Sequence, residues 1–144
     1  MMALSLGVTV ANGENIKSLG TMVFNDEGIL FVGDNISGSI LAFDFTSAKQ
    51  KRSDFEINLY NLDALIAAAL GTAHGSVQVN DIAVHPKSGE VYLSVMRGHG
   101  LDALPALLKV NADNQLTIID ITQVPVTSQA LSKLPNMEHK IGLR

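Results

Sequence analysis

The feature that most constrains the fold of this chain is an internal repeat. Residues 22–34 (MVFNDEGILFVGD) and residues 82–95 (IAVHPKSGEVYLSV) each contain an apolar stretch, a polar turn with glycine and a second apolar stretch. This arrangement is typical of a β-hairpin. Gly28 and Gly89 lie where such turns need a positive φ. Each copy of the repeat therefore predicts an antiparallel hairpin.

Each copy continues with two more predicted strands. The third strand is expected at residues 39–44 in the first copy and at residues 106–111 in the second. The fourth strand is expected at residues 54–60 and at residues 116–121, respectively. Both copies are thus expected to form a meander of four antiparallel strands.

Two consecutive four-stranded meanders are the pattern that β-propeller blades produce in a sequence. We therefore predict an all-β chain with two propeller-type blades, at about residues 18–60 and 79–121 within the segment 18–121. Propellers typically have four to eight blades, so two blades do not close a ring. The chain is expected to be part of a larger propeller, which is completed either by missing blades or by further copies of the chain.

An insertion between the two copies predicts a single short helix. Residues 61–71 begin with Asn and end with Gly, and both are typical of helix ends. The apolar residues between them follow a helical spacing: Leu62, Leu65, Ile66, Ala69 and Leu70. We expect this helix to cover apolar surface on the connection between the blades. The alternative is a lid over a binding mouth.

The two ends of the chain lie outside the repeat. Residues 1–17 begin with MMALSLGVTVA, which predicts either a β-strand or the remnant of a secretory leader. The leader alternative favours an exported protein, periplasmic or extracellular, whereas the strand alternative leaves the compartment open. Residues 122–144 contain Pro125 and Pro135 among polar residues and predict an irregular tail.

The composition excludes several classes of function. The 144 residues include no cysteine, which excludes disulfides, thiolate zinc sites, iron–sulfur clusters and cysteine nucleophiles. Ten Lys and Arg residues stand against fourteen Asp and Glu, and one basic cluster stands out, at Lys49, Lys51 and Arg52. We predict no nucleic-acid partner, because such a partner needs a basic face. No apolar run is long enough to predict a membrane span.

Two stretches resemble a known group of six-bladed propellers. Residues 28–44 (GILFVGDNISGSILAFD) and residues 79–95 (VNDIAVHPKSGEVYLSV) are similar to hairpins of the gluconolactonase, strictosidine-synthase and NHL-repeat group. The resemblance implies that Asn80 lines the mouth of the central channel, where the lactonases bind their substrate. The lactonases also carry a metal-binding Glu before the glycine that corresponds to Gly20, but this chain has Leu19 there. One metal ligand of the lactonase pattern is therefore missing.

Two pairs of residues are the candidate binding sites. Asn80 and Asp81 lie at the expected channel mouth, where their oxygen atoms suit a polar ligand, or Ca²⁺ in a completed propeller. The local alternative is that they cap a strand-entry turn. Arg97 and His99 lie in a connection with glycines and predict an anion site, and the alternative is an exposed, mobile loop. The four histidines lack zinc-site spacing, so we predict no metal site and no cofactor for the isolated chain.

These observations predict a propeller-type binding or scaffold module of unknown ligand, and they lean against an enzyme for the isolated chain. The first alternative is a fragment of a metal-dependent, lactonase-like hydrolase. The second alternative is a dinucleotide-binding βαβ unit at 91–120, because Gly98 to Ala103 fits the pattern G-x-G-x-x-A and Asp120 follows a strand. Pro105 argues against this unit, since it leaves room for only a short helix.

The repeat also predicts which side chains are buried. Most of the following strand residues are expected in the interior: Val23, Phe24, Leu30, Val32, Ile82, Val84, Val91, Leu93 and Val95. Two blades leave two outward faces, which are expected to carry Leu41, Phe43, Leu107 and Val110. Uncovered apolar faces of this kind predict a homo-oligomer or a contact with the missing blades.

Overall fold

The computed structural model describes residues 8–10, 15–51 and 56–130 of the chain. Within these residues the chain forms nine β-strands and one α-helix. In chain order they are β1 (Val8–Val10), β2 (Met22–Phe24), β3 (Ile29–Asp34), β4 (Ser39–Asp44), α1 (Leu62–Leu70), β5 (Val77–Val84), β6 (Val91–Arg97), β7 (Leu104–Val110), β8 (Leu116–Ile119) and β9 (Val126–Ala130). Single 3₁₀ turns lie at His74–Ser76 and Gly100–Asp102.

The strands form two separate sheets in which every neighbouring pair is antiparallel. The first sheet has five strands in the order β1-β9-β4-β3-β2, and the second has four strands in the order β5-β6-β7-β8. This confirms the prediction of a mostly β chain with two antiparallel sheets and one helix. No helix in the described part of the chain is long and apolar enough to span a membrane.

The turn of the first hairpin is built around Asn25. Its Oδ1 atom accepts hydrogen bonds from the backbone N–H groups of Glu27, Gly28 and Ile29 at 3.0, 3.0 and 2.9 Å. Gly28 has a φ of 102°, which side-chain-bearing residues rarely adopt. A Cβ atom at Gly28 would also lie 2.6 Å from Nε2 of His85, so both conformation and space require glycine there.

The turn of the second hairpin is built around His85, which is fully buried. The Nδ1 atom accepts hydrogen bonds from the N–H groups of Lys87 and Ser88 at 3.1 and 3.2 Å. The proton of a neutral imidazole is then on Nε2, which donates to the carbonyl oxygen of Phe45 at 2.9 Å. A histidine thus takes in this copy of the repeat the role that Asn25 has in the other.

The main core lies between the two sheets, where they pack face to face. Directly paired residues share a face, and the pairs Leu30–Phe43 and Val32–Leu41 place four buried side chains toward the second sheet. The complete set of buried residues in this core is Ile16, Leu19, Met22, Leu30, Val32, Leu41, Phe43, Tyr92, Leu107 and Val126. Each fully buried Leu or Phe side chain contributes about 2 kcal/mol through its removal from water.

A smaller core lies on the other face of the second sheet, under the helix. Its buried members are Ile66, Leu93, Val95, Leu108 and Val110. The helix Leu62–Leu70 confirms the prediction for residues 61–71, and Gly71 ends it with a φ of 66°. The expected stripe is only partly right, because Ile66 and Ala67 are buried whereas Leu65 and Ala69 are exposed. The molecule therefore has three layers: sheet, sheet and helix.

The fourth strand of the first sheet comes from a part of the chain that we did not predict. Residues 56–60 lie outside the strands, and residues 52–55 lie outside the described part of the chain. Their expected place beside β4 is occupied by β9, so the irregular tail predicted for 122–144 is wrong at Val126–Ala130. The edge of β4 needs backbone partners, and the buried Val126 opposite Phe43 adds apolar contact. The rest of the tail, from residue 131, lies outside the described residues.

The N-terminal segment contributes the outermost strand. Val8–Val10 pairs with β9, and the other residues up to 14 lie outside the described part of the chain. The described strand agrees with one of the two alternatives for residues 1–17, and it leaves the leader alternative for the remaining residues untested. The first and the last of the described strands are thus neighbours in the same sheet.

The faces that we predicted to point outward are wrong. Leu41, Phe43, Leu107 and Val110 are all buried, because the parity of the strands turns them toward the other sheet or the helix. The outward face of the first sheet instead carries Val23, Phe31 and Ile40, which are 61%, 37% and 41% exposed. These three exposed side chains lie side by side on the face of the first sheet that points away from the second sheet.

The nine strand residues predicted for the interior all lie in strands, but only some are buried. Leu30, Val32, Leu93 and Val95 are buried. The exposed ones lie on strands at the edge of their sheets: Val23 on β2, and Ile82 and Val84 on β5. An edge strand has a neighbour on one side only, so its side chains keep more contact with water than those of the central strands β3 and β6.

Candidate functional site

A cleft opens between the two sheets at the end where β3 and β6 terminate. It has a volume of about 480 Å³, and we call it the inter-sheet cleft. Both sheets and their connections line it, with Ser18, Leu19, Gly20, Thr21, Asn35, Ile36, Gln78, Asn80, Met96, Gly98, His99, Gly100 and Ala103. Two residues predicted separately from the sequence, Asn80 and His99, are therefore brought to the same cleft.

A β-bulge at Asn80 shapes the wall that the second sheet contributes. Val79 pairs with Val95 and Asp81 pairs with Ser94, so Asn80 is the extra residue of the strand. A bulge interrupts the strict alternation of side chains. Here Asn80 and Asp81, although adjacent in sequence, both reach backbone atoms of the first sheet's leading segment.

Three side chains of the second sheet clamp residues 19–22, the segment that leads into β2. The hydrogen bonds run from Asn80 Nδ2 to the carbonyl oxygen of Leu19 (2.7 Å), from Ser94 Oγ to the carbonyl oxygen of Gly20 (2.7 Å), and from the N–H of Met22 to Asp81 Oδ2 (2.8 Å). Each bond satisfies a backbone group that has no strand neighbour on that side. We call these three hydrogen bonds the clamp. They fix the position of residues 19–22 against the second sheet next to the inter-sheet cleft.

Asn80 and Asp81 were predicted either to bind a ligand or to make local capping contacts, and their hydrogen bonds can be compared with both predictions. Asp81 Oδ1 accepts from the N–H of Ile82 at 2.9 Å, which is a local contact, but Asn80 and Asp81 both lie inside β5 (Val77–Val84) and do not cap a strand entry. The other contacts of the pair are not local, because they cross to the first sheet. Asn80 lines the inter-sheet cleft and Asp81 does not. Their role as ligand-binding residues stays a prediction.

A buried carboxylate supports the opposite wall of the cleft. Asp34 accepts hydrogen bonds from the N–H of Lys17 (2.9 Å), the hydroxyl of Ser18 (2.7 Å) and the N–H of Ser37 (3.1 Å). Burial acts to raise the pKa of Asp34, but the hydrogen bonds from Ser37, Lys17 and Ser18 together lower that pKa below its ordinary value. The ionised carboxylate of Asp34 therefore connects Lys17 and Ser18 to the turn between β3 and β4.

Asp34 was not among the residues predicted for the site. The available signal was an Asp at the end of a predicted strand with Ser37 three residues later, which is a pattern of Asx turns. The bond to Ser18 was not predictable, because it depends on the segment before β2 packing across the end of β3.

Arg97 and His99 lie in different surroundings. Val77 is paired with Arg97, and the Arg97 guanidinium donates through Nη1 to the carbonyl oxygen of Leu70 at 3.0 Å. This bond satisfies a carbonyl at the C-terminus of α1, where a positive charge is also favourable. His99 instead lines the inter-sheet cleft and is exposed. The structure thus places one residue of the predicted anion pair at the helix and the other at the cleft.

The chemistry of the cleft is that of uncharged hydrogen-bonding groups. Its lining, within the residues that the structure describes, includes hydroxyl, amide and imidazole side chains, and no Asp, Glu, Lys or Arg. Among the described residues, no three His, Asp or Glu side chains come together as a metal-binding group. Leu19, at the position of the lactonase carboxylate, is fully buried in the main core. The cleft is therefore suited to a ligand that exchanges hydrogen bonds with neutral groups.

The βαβ unit that we considered for residues 91–120 is wrong. This stretch forms the antiparallel strands β6, β7 and β8, and a dinucleotide-binding unit needs parallel strands joined by a helix. The residues between β6 and β7 form a single 3₁₀ turn at Gly100–Asp102. The glycines that fitted the pattern serve the connection between two neighbouring antiparallel strands.

Comparison with protein-family models, with curated proteins and with solved structures finds no match to this chain. The resemblance to the gluconolactonase, strictosidine-synthase and NHL-repeat group stays a prediction that depends on residues 28–44 and 79–95. The structure itself shows two antiparallel sheets and a helix that covers one of them.

Proposed function

We propose that this chain is a ligand-binding module of propeller type that holds a small, uncharged, hydroxyl- or amide-bearing molecule in the inter-sheet cleft. The observation that carries the proposal is the composition of the cleft. Both sides of the cleft contribute hydrogen-bonding side chains to one concave site, among them Thr21 and Asn35 beside the first sheet and Gln78 and Asn80 in the second. A volume of about 480 Å³ is of the size that small-molecule sites have.

The propeller part of the proposal is supported by how the sheets meet. Consecutive propeller blades pack face to face, and each blade has its first strand nearest the central axis. In this chain the two sheets share the main core, and their edge strands β2 and β5 lie beside each other. The bond between Met22 and Asp81 joins those two strands directly. Neighbouring blades would have this relationship.

A nuclear magnetic resonance titration of the full chain tests the ligand class. We would add D-glucose, N-acetylglucosamine and myo-inositol in turn and follow the backbone amide signals. The expected result is that at least one probe shifts the signals of Gln78 and residues 98–100. The variants Gln78→Ala and His99→Ala should weaken that binding about three- to tenfold, as expected for the loss of one hydrogen bond in a site.

Gln123→Ala is the matched control, because Gln123 is exposed and lies outside the cleft. It should leave the affinity within about twofold, which is close to no change in free energy. The proposal is wrong if none of the three probes shifts any signal at the cleft, or if the shifts lie elsewhere on the chain.

The hydrolase alternative has one observation in its favour, since Asn80 does line the cleft. The burial of Leu19 opposes it, because an apolar core side chain cannot coordinate a cation. We expect no hydrolysis of glucono-δ-lactone above the spontaneous rate when Ca²⁺ is added to the full chain. Hydrolysis that depends on Ca²⁺ and is lost in Asn80→Ala would favour the alternative.

A further inference from the structure

A second concave site lies at the opposite end of the strands, where β4 ends and β6 begins. It has a volume of about 430 Å³, and its lining combines the lysines Lys49, Lys51 and Lys109 with the rings of Phe45 and Tyr92. We call it the lysine pocket. Lys49 and Lys51 belong to the one basic cluster that stands out in the sequence.

Aromatic rings form the apolar side of the lysine pocket. The ring centroids of Phe45 and Tyr92 are 4.8 Å apart, and both rings pack against Phe24. Tyr92 is buried, and burial together with the nearby Glu90 carboxylate raises the pKa of its hydroxyl far above the ordinary value. The hydroxyl therefore keeps its proton at neutral pH, and the ring surface is rigidly held by its neighbours.

Charge forms the other side. The described residues that line the pocket include three lysines and one carboxylate, Glu90, whose Oε1 atom lies 3.7 Å from Nζ of Lys109. The charge of these described lining residues is therefore positive, on a chain whose net charge is −4. Backbone contacts hold the lysine-bearing segment in place, since the N–H of Lys51 donates to the carbonyl oxygen of Lys87 at 2.9 Å.

We propose that the lysine pocket binds a small organic anion, in which a carboxylate or phosphate group is attached to a ring. The anionic oxygens would lie among the lysines, which donate charge-assisted hydrogen bonds. The ring would lie against Phe45 and Tyr92. The site is concave and of ligand size, which distinguishes it from an ordinary exposed group of lysines.

The test uses benzoate, phenyl phosphate and the neutral analogue benzyl alcohol as probes of the full chain, with affinities from titration calorimetry or amide shifts. Benzoate or phenyl phosphate should bind at least about tenfold more tightly than benzyl alcohol, because several lysines attract the same anion. The stronger of the two anions identifies the group, carboxylate or phosphate, for which the pocket is better suited.

Two variants with opposite expected effects keep the result independent of folding. Lys49→Met removes one positive charge and should weaken anion binding about fivefold, and Glu90→Gln removes the negative charge and should strengthen it about threefold, as expected for partly exposed charges. Lys17→Met is the matched control, since Lys17 is exposed and lies on the inter-sheet cleft side of the chain. It should change the affinity less than about twofold.

The proposal is overturned if benzyl alcohol binds as tightly as the anions. It is also overturned if neither anion binds, or if Lys49→Met and Lys17→Met weaken binding equally, because the effect would then belong to net charge. The lysine pocket and the inter-sheet cleft share no lining residue, so either site can fail its test without the other.

Discussion

The Nε2 atom of His85 donates a 2.9 Å hydrogen bond to the carbonyl oxygen of Phe45, and this bond joins the two sheets through one buried side chain. His85 follows β5 in the second sheet, whereas Phe45 follows β4 in the first. The other ring nitrogen of His85 caps the turn of its own hairpin. One imidazole therefore determines both a local turn and the contact between two layers.

Replacing this histidine is expected to destabilise the fold. His85→Leu keeps a buried apolar volume but leaves the N–H groups of Lys87 and Ser88 without their acceptor. We expect a loss of about 2–4 kcal/mol in the free energy of unfolding, measured by urea denaturation. His99→Leu, at an exposed histidine, should cost less than about 0.5 kcal/mol. Equal losses in the two variants would contradict the inter-sheet role of His85.

Alanine substitutions at Gly28 and Gly38 can distinguish the cost of an unfavourable backbone conformation from the cost of a steric clash. Both have a positive φ, of 102° and 70°, but only at Gly28 does an added Cβ meet another group, the His85 ring. Gly38→Ala should therefore cost about 1 kcal/mol from backbone strain alone. Gly28→Ala should cost at least about 1 kcal/mol more, because the His85 ring has to move. Thermal or urea unfolding of the two variants measures the difference, and equal costs would mean that the ring yields freely.

The stability of the chain should fall in acid, partly through Asp34. Its pKa is lowered in the folded chain relative to its ordinary value of 3.8. A carboxylate of this kind stabilises the fold fully above the unfolded pKa, and the stabilisation is lost as the pH falls through the lower folded pKa. Carboxyl carbon signals of Asp34 should therefore titrate below pH 3.8, and Asp34→Asn should show a smaller loss of stability between about pH 5 and pH 3. A titration of Asp34 at or above its ordinary value would contradict the hydrogen-bonded arrangement.

The outward face of the first sheet should make the chain associate with itself. Val23 and Phe31 are directly paired across β2 and β3, and Ile40 lies on the same face of β4. Contiguous exposed apolar groups of this kind are uncommon in monomers. We expect light scattering at low micromolar concentration to give a mass above that of one chain, and Phe31→Lys to lower it. Leu101→Lys is the control, because Leu101 is fully exposed in a connection outside the sheets, and it should leave the mass unchanged. A sharp monomer peak from the unchanged chain would contradict this prediction.

Local pattern was enough for the hairpins and the helix. The turn between β2 and β3 follows from Asn25 and Gly28, whose side-chain and backbone requirements concern residues at most four positions apart. The helix Leu62–Leu70 follows equally from a terminal Gly and a helical spacing of apolar residues. Of the candidate site, the sequence predicted Asn80 together with Asp81, from their place before a predicted strand and from the propeller resemblance. It predicted His99 together with Arg97, from a connection with glycines.

Contacts between distant parts of the chain decided the rest. The strand Val126–Ala130 forms because the edge of β4 offers backbone partners and because Val126 can bury its side chain, and its own polar sequence contains no signal of either. Which faces of the sheets are covered depends in the same way on where the helix and the second sheet pack. The sequence by itself determined the turns and the periodicity of each element, since these are set by neighbours within a few residues. The tertiary structure alone decided that Asn80 and His99 line one cleft and that Arg97 caps the helix. It also decided that three lysines and two aromatic rings line the same pocket. Each of these arrangements depends on residues that are far apart in the chain.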